Sequence, residues 1–469
     1  LSGLDLSNFE TGNVTNMQNM FKNCRSLDSL DLSSFTTEKV GGMAGMFQDC
    51  SSLTDLDISS FGEYIITGPY DERRVQDMFS GCSSLTRLDL SHFRTAQSRD
   101  MSRMFFGCNS LTDLDVSGFD TGSAKNMSGM FAGCSSLTAL QLGGFDTQLV
   151  EDMSGMFEGC SNLTDVNVSS FDIGFLKNMS RMFADCEALT SLDLSSFQRP
   201  AVVNINRNAD MTGMFSGCSS LVDLDMRNFN MDRIYSYVEN LFAGCSSLSI
   251  LYTPVNCVTK VPLPSQTGDQ WKSADGRIYK ELPQKKAESI LIYKNGYLDD
   301  GAGGLKKIVT VSGVSVTSKL YDGAASSYSG AAVITDSEGN VIADLAPAYR
   351  YSGTRADGTV YTETTEAPTQ AGSYRLSVEL SGTSAQQYAL RKNIYSFQIR
   401  QREVKISVSS LTLEPGAQPP EDADIKWEAE GFLEGDTWHR EPSFRYIPAL
   451  ASPLQPGRYQ IIPYGADAG

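Results

Sequence analysis

The pattern of apolar and polar residues repeats along the first half of the chain. Cysteines recur in steps of 26, 27 or 32 residues, at positions 24, 50, 82, 108, 134, 160, 186, 218 and 245. A period of this length predicts a solenoid, in which each coil buries its apolar face against the next coil. The two 32-residue steps contain segments 62–72 and 198–210, which we interpret as insertions in loops.

Within one repeat the apolar spacing changes. Residues 127–134 place Met, Met, Phe and Cys at i, i+3, i+4 and i+7, which predicts a short helix with Asn126 as its cap. Residues 137–145 follow the pattern LxxLxLxxF, in which alternate residues face opposite sides, and this predicts a short strand. We expect the last Phe of this pattern to form a buried spine, at Phe35, Phe61, Phe93, Phe119, Phe145, Phe171, Phe197 and Phe229.

The strings NMQNMFKNCRSLDSLDLSSFTT (16–37) and NMSRMFADCEALTSLDLSSFQR (178–199) resemble the repeats of BspA-like leucine-rich repeat surface proteins of bacteria. The resemblance spans residues 1–294. It implies an α/β leucine-rich repeat solenoid of about nine 26-residue coils, each with a short helix and a short strand. The segment 254–294 is similar to the tail that closes such solenoids, and we expect Trp271, Ile278 and Tyr279 to cover the last coil.

The residue pattern changes in the C-terminal part of the chain. Residues 295–306 are rich in glycine and are interpreted as a linker. Short alternating runs after Lys307 predict β-structure, and residues 307–402 resemble bacterial immunoglobulin-like modules of the MBG type. Residues 403–469 are interpreted as a second, divergent or truncated module. The resemblance therefore implies all-β sandwiches after the solenoid. Since Leu1 falls within a predicted strand, we expect the chain to be trimmed from a longer protein.

Charge and motifs exclude several classes of function. The net charge of −18 disfavours nucleic acid and anionic membrane surfaces, and the absence of any run of 18 apolar residues disfavours a membrane span. The only histidines, His92 and His439, lie in different predicted domains, and no nucleophile elbow, phosphate loop or zinc spacing is present. We therefore predict no enzyme activity, no catalytic residue, no metal site and no cofactor.

The nine repeated cysteines could form disulfides or act as small apolar groups. Because each lies on the predicted inward stripe, parallel to its neighbours, bridging would distort the backbone, and we predict free buried thiols. Cys257 lies outside the series, and a bridge from it to Cys245 stays open. The repeated Met pairs are interpreted as core filler.

One polar column is the candidate binding site. The residue after the second leucine of each strand points outward on the surface that we expect to be concave. This column, here called the acid column, consists of Asp31, Asp57, Asp89, Asp115, Gln141, Asn167, Asp193 and Asp225. It is either a solvated face or a surface for a basic protein segment or a weakly bound cation. The outward-facing residues Ala139, Gln141 and Gly143 of coil 139–143 differ most from those of the other coils.

The resemblance implies a cell-surface, extracellular binding protein of a bacterium. In this hypothesis an adhesin-like solenoid recognises a host matrix protein, a cell-surface protein or a glycan, and immunoglobulin-like modules form its stalk. The alternative hypothesis is a structural or spacer protein for cell-cell association or assembly, without a dedicated ligand site.

Overall fold

The computed structural model describes the greater part of the chain. The described residues are 4, 6, 9–61, 75–90, 93, 95–197, 209–232, 234–265, 269–273, 275–294, 306–314, 316, 319–328, 330–336, 340–355, 359–390, 394–400, 405–409, 412, 420–431, 441–447 and 460–464. His92, His439 and nearly all of the predicted insertions 62–72 and 198–210 and linker 295–306 lie outside them. Contacts divide the chain into two units: residues 1–313, 332–348 and 378–396, and residues 314–331, 349–377 and 397–469.

The described residues form short β-strands joined by turns, with no α-helix. Two 3₁₀ helices, Ala385–Gln387 and Asp422–Asp424, lie outside the repeats. The repeats and their closing segment contain β1 (Arg87–Asp89), β2 (Asp113–Asp115), β3 (Ala139–Leu140), β4 (Asp165–Val166), β5 (Ser191–Asp193), β6 (Asp223–Asp225), β7 (Ile250–Tyr252), β8 (Trp271–Ser273), β9 (Ile278–Tyr279) and β10 (Leu291–Lys294).

The prediction of an α/β leucine-rich repeat solenoid is wrong because the coils that the structure describes contain turns in place of the predicted helices. In coil 126–151, Gly129 and Gly133 have φ of 59° and 76°. A residue in this left-handed region interrupts a right-handed helix. Every described coil has two such residues, four apart, and non-glycine examples are Asn19, Asp49, Arg103 and Arg181. The segment is a chain of successive turns, which we call the turn ribbon.

Backbone hydrogen bonds of the turn ribbon run between coils. The N–H groups of Met127, Gly129, Phe131 and Gly133 donate to carbonyls of the next coil at 2.7–2.9 Å. The intervening N–H groups close turns, as when Cys134 N–H donates to the Phe131 carbonyl at 3.1 Å. A helix would satisfy these groups within one coil, so the ribbon exchanges local bonds for bonds that hold the coils together.

The strands of successive coils pair in parallel and in register. Leu88 pairs with Leu114, Leu140 with Val166, and Leu192 with Leu224. After β7 the direction reverses, because β10 pairs antiparallel with β7 and then with β8, which pairs with β9. These strands continue the sheet in the order β5-β6-β7-β10-β8-β9. We call the whole arrangement of coils the repeat stack.

The core of the repeat stack is one continuous apolar column. The predicted Phe spine is buried, and its neighbouring rings, such as Phe119 and Phe145, lie about 6.3 Å apart. A second, more closely spaced spine lies at positions that were predicted to be helical. It consists of the ribbon residues Phe21, Phe47, Phe79, Phe105, Phe131, Phe157, Phe183, Phe215 and Phe242. Its neighbouring centroids are 5.3–6.0 Å apart and its rings are nearly parallel.

The segment after β7 closes the core. Trp271 is 1% exposed, and its indole N–H donates to the Pro264 carbonyl at 2.8 Å. Lys294 is largely buried, and its ammonium group bonds the Ser246 carbonyl and Asp269 Oδ2, each at 3.2 Å. Tyr279 packs partly against the core, as expected, whereas Ile278 is 53% exposed and does not cover it.

The C-terminal strands form small sheets. They are β11 (Lys307–Ser312), β12 (Lys319–Leu320), β13 (Val333–Thr335), β14 (Ala346–Arg355), β15 (Val360–Thr364), β16 (Gly372–Ser381), β17 (Tyr388–Leu390), β18 (Ile394–Arg400), β19 (Lys405–Val408), β20 (Trp427–Glu430), β21 (Ser443–Ile447) and β22 (Gln460–Tyr464). Sheet orders are β13-β11-β17, β12-β18-β16-β14-β15, β19-β20 and β21-β22. In the second unit, the ring centroids of Tyr374 and Phe397 lie 5.7 Å apart.

Replacing Gly133 by Ala tests the turn ribbon. A Cβ there would lie 3.3 Å from Gly107 Cα, and alanine at φ 76° should lower the free energy of unfolding by about 1–2 kcal/mol. In a helix the same change would raise it by about 1 kcal/mol. Denaturant unfolding of the full chain measures the sign. Gly144→Ala is the control, since its Cβ would enter open space, and a stabilised Gly133→Ala variant would contradict the ribbon.

Candidate functional site

The acid column lies along the strand side of the repeat stack. Parallel pairing places Asp89 against Asp115, and Asp193 against Asp225. Neighbouring strands are about 4.8 Å apart, so the column presents one polar side chain per rung. Its members at positions 31, 57, 89, 141, 167 and 193 are exposed, Asp115 is half-buried and Asp225 is buried. The structure therefore brings most of the predicted site residues onto one accessible line.

A structural role accompanies this placement. The side-chain oxygen of a column residue accepts the backbone N–H of the residue two positions later, which closes a turn at the end of the strand. These bonds measure 2.8–3.0 Å in the pairs Asp31–Ser33, Asp57–Ser59, Asp115–Ser117, Asn167–Ser169, Asp193–Ser195 and Asp225–Arg227. The repetition of Asp at this position thus has a local cause that needs no ligand.

The C-terminal end of the column is neutralised within the chain. The Arg227 guanidinium group contacts the Asp225 carboxylate at 2.7 Å, and its carbon lies 4.4 Å from the centre of the Tyr252 ring. Asp225 is 1% exposed. Asp225 therefore contributes to packing, and the accessible part of the acid column ends at Asp193.

The middle of the column is uncharged and bare. Gln141 and Asn167 carry no charge, and a Cβ added at Gly143 or Gly144 would meet no atom within 4 Å. The following coil has Ser170 at the second of these positions, and its Oγ donates to the Leu142 carbonyl at 3.3 Å. Coil 139–144 has no side chain at either position on the strand side, and we call this pair the glycine notch (Gly143 and Gly144).

An exposed edge of the stack was missed by the sequence analysis. The backbone N–H of Glu151 donates to the Lys125 carbonyl, and that of Lys177 to the Glu151 carbonyl, each at 2.8 Å. The Glu151 carboxylate contacts the ammonium groups of Lys177 and, at 3.8 Å, Lys125. The Lys177 hydrogen bond is the largest cause that lowers the pKa of Glu151. Lys125 N–H in turn donates to the Arg99 carbonyl, so these side chains form one ladder.

Two exposed apolar side chains accompany this ladder. Leu149 precedes Glu151 by two residues and is 43% exposed, while Phe175 precedes Lys177 by two and is 38% exposed. Most other large apolar side chains of the coils are buried. We call the set Arg99, Lys125, Leu149, Glu151, Phe175 and Lys177 the basic edge. Only a comparison of non-repeating positions between coils could have revealed it from the sequence.

All ten cysteines are free thiols. Cys134 donates through Sγ–H to the Phe105 carbonyl of the preceding coil at 3.1 Å, and Cys160 does so to Phe131. The nine ladder thiols are therefore free, as predicted, and eight of them are buried, whereas Cys24 is half-buried. Cys257 does not bridge to Cys245, since its Sγ–H donates to the Thr259 carbonyl at 3.1 Å. The thiols link coils by hydrogen bonds instead of disulfides.

Burial keeps these thiols protonated. Desolvation raises the pKa of Cys108 and of Cys160 to about 12, and raises the pKa of Cys134 well above its ordinary value. A protonated thiol is a poor nucleophile and a poor metal ligand. Within the described ranges, no group of three His, Cys, Asp or Glu side chains is arranged to hold a metal ion. The described residues also contain no helix long and apolar enough to cross a membrane.

The family of the chain follows from its repeats. A family model described as "Mycoplasma protein of unknown function, DUF285" matches residues 3–67, 70–142 and 137–253, which together make up just over half of the chain. The chain belongs to this family. The matched DUF285 segments coincide with the coils that carry the turn ribbon, the thiols and the acid column. No curated protein matches the chain significantly.

Substitutions at Asp193 separate charge from structure. Asp193→Ala removes the acceptor of the Ser195 N–H and should lower the free energy of unfolding by about 1 kcal/mol. Asp193→Asn retains an acceptor oxygen, as Asn167 does naturally, and should change stability by less than about 0.5 kcal/mol. Denaturant unfolding compares the two variants. Equal losses of stability would show that this hydrogen bond does not hold the turn.

Stability should fall at alkaline pH because of the buried thiols. Their folded pKa exceeds the ordinary value of 9.0, so above pH 9.0 the unfolded chain releases protons that the native chain retains. The stabilisation that the buried protonated thiols give the native chain is complete below pH 9.0 and is lost as the pH rises toward 12. Thermal unfolding of the full chain across this range measures it. The double variant Cys108→Ala, Cys160→Ala should show a shallower pH dependence, and an unchanged slope would contradict the assignment.

Proposed function

We propose that this DUF285 chain is an extracellular, cell-surface binding protein of a bacterium, and that its strand side binds a basic segment of another protein. The single observation that carries the proposal is the exposure of six acid-column side chains on the strand side, four of which are the carboxylates of Asp31, Asp57, Asp89 and Asp193. Exposed carboxylates on one side of a protein attract cationic groups and accelerate their association. The resemblance of the repeats to BspA-like surface proteins supports a host matrix protein, a cell-surface protein or a glycan as ligand.

The chemistry of the repeat stack supports binding in preference to catalysis. Its buried thiols are protonated and hydrogen-bonded to backbone carbonyls, so they are poor nucleophiles. Protonated buried thiols also resist oxidation, which suits a protein exposed to an oxidising exterior. In this proposal the β-rich region after residue 306 acts as a stalk that holds the repeat stack away from the cell.

A second candidate function is a structural spacer without a dedicated ligand. The observation that favours it is the turn-closing hydrogen bond made by Asp31, Asp57, Asp115, Asn167 and Asp193. Under this hypothesis Asp recurs because it ends each strand. The two functions differ in one measurable respect, since only the first requires the negative charge of the column.

Asparagine substitutions at Asp57, Asp89 and Asp115 test the first function. Asparagine retains the turn-closing acceptor seen at Asp57 and Asp115 and removes three charges. Association with a basic partner should therefore slow at least about tenfold and lose much of its salt dependence. The measurement is surface plasmon resonance against purified matrix proteins, cell-surface proteins and glycans, with polylysine as a cationic reference.

The control changes charge elsewhere on the repeat stack. Glu158→Gln with Asp185→Asn removes two carboxylates that pair with Arg181 on the turn ribbon, and should leave the association rate nearly unchanged. A matrix protein that binds the triple variant with unaltered rate and salt dependence would refute the strand-side site. If none of the purified ligands binds the full chain, the spacer function takes its place.

A further inference from the structure

The basic edge and the acid column are built on the same repeat, so their side chains advance by the same step. Parallel pairing joins Asp89 to Asp115, Asp193 to Asp225 and strand β3 to strand β4 in register, and the backbone N–H groups of Lys125, Glu151 and Lys177 each donate to the edge residue of the preceding coil. Two surfaces with the same step can meet at several rungs at once. Surfaces with different steps would lose register after one or two contacts.

The charges of the two surfaces also match coil by coil. The acid column has Asp89, Asp115, Gln141 and Asn167 in four successive coils. The basic edge has Arg99, Lys125, Glu151 and Lys177 in the same four coils. The acid column is therefore uncharged in the coil in which the basic edge has its carboxylate. Placing Gln141 opposite Glu151 puts an amide donor against a carboxylate and avoids the repulsion that Asp would cause.

The direction of the chain at such a contact would also bring an exposed apolar side chain of one copy opposite the glycine notch of the other. In two copies with parallel stack axes, the chain winds in the same sense, so segments that meet at a contact run in opposite directions. If residue 141 meets residue 151, then Gly143 meets Leu149. The exposed Leu149 side chain would enter the glycine notch, where no atom lies within 4 Å of an added Cβ. Phe175 follows in the next coil, opposite Ser169.

We propose that the acid column of one copy of this chain binds the basic edge of a second copy, side by side and with equivalent coils at the same level. Asp89–Arg99 and Asp115–Lys125 are the opposite-charge pairs, Gln141–Glu151 and Asn167–Lys177 are the amide pairs, and Leu149 in the glycine notch is the apolar contact. Leu149 buries apolar surface at the contact, and the charge pattern determines which coils of the two copies meet.

The contact uses two different surfaces of each copy, so it is heterologous. A heterologous contact leaves one acid column and one basic edge free at the ends of any open assembly, which can therefore grow. Self-association goes beyond the proposed binding function and requires no host ligand. It also predicts competition, because a basic partner and a second copy would occupy the same acid column.

Charge-swapped variants of the full chain test this proposal by sedimentation velocity. The wild-type chain should form oligomers that increase with concentration and dissociate at high salt. Asp115→Lys and Lys125→Asp each place like charges at the contact, and each should weaken self-association at least about tenfold. The doubly swapped chain, with both changes, should regain concentration-dependent association, because the opposite-charge pair is restored.

An equimolar mixture of the two single variants provides the sharpest test. The Asp115→Lys chain retains its basic edge and the Lys125→Asp chain retains its acid column, so the mixture should associate although neither variant does so alone. The two swapped surfaces are also complementary, as in the doubly swapped chain, so the mixed assembly can grow. Association of the mixture also shows that both variants are folded. Leu149→Ser should weaken wild-type association, whereas Phe106→Ser, which changes a 37% exposed phenylalanine of the turn ribbon, should not.

The results that overturn the proposal are distinct from those for the binding function. A wild-type chain that stays monomeric at millimolar concentration overturns it, as does association that survives both single swaps. A mixture that does not associate, when each variant retains the wild-type thermal midpoint, overturns the pairing of Asp115 with Lys125. None of these measurements contains a host ligand, so a failed ligand screen leaves them unaffected.

Discussion

The hydrogen bonds of the turn ribbon are the constraint on which the repeat stack depends. Every second N–H group of the ribbon donates to the next coil, and the bonds of coil 126–151 are 2.7–2.9 Å long. This exchange requires two left-handed residues in each coil, as at Gly129 and Gly133. Once the coils are held at this spacing, the Phe rings stack, the thiols reach the preceding carbonyls and the strands pair in register. Each is a consequence of one short distance between coils.

Because of this spacing between coils, most polar residues that recur in the repeats form hydrogen bonds that hold the turns or join neighbouring coils. Asn126 and Asp152 accept backbone N–H groups at the start of the ribbon, and the Thr121 hydroxyl donates to the Asp146 carbonyl of the next coil. Positions that differ between coils have no such recurrent structural role. Variable side chains such as Leu149 and Phe175 are therefore available for contacts with partners, as is the charge of the acid column.

The sequence predicted the period, the buried Phe rings and the buried free thiols, because these depend on spacing and burial alone. It predicted a helix where the structure has turns, because Met127, Met130, Phe131 and Cys134 share one face in either arrangement. The signal that distinguishes turns from a helix was the recurrence of Gly, Asn and Asp four residues apart, since these residues tolerate positive φ. The acid column could be located, but its turn-closing bonds and the buried Asp225–Arg227 pair depend on contacts that spacing does not specify.

The direction of the ribbon hydrogen bonds gives the repeat stack an electrical polarity. The four inter-coil N–H groups of the ribbon in coil 126–151 point toward the next coil, and the ribbon carbonyls of Asn126 and Ser128 accept from the preceding one. The peptide dipoles of the ribbon therefore add along the axis, much as they do in an α-helix, although here each bond joins different coils. The partial negative end lies at the first coil and the partial positive end at the last. Each added repeat lengthens this dipole, so the electric moment of the ribbon increases with the number of coils.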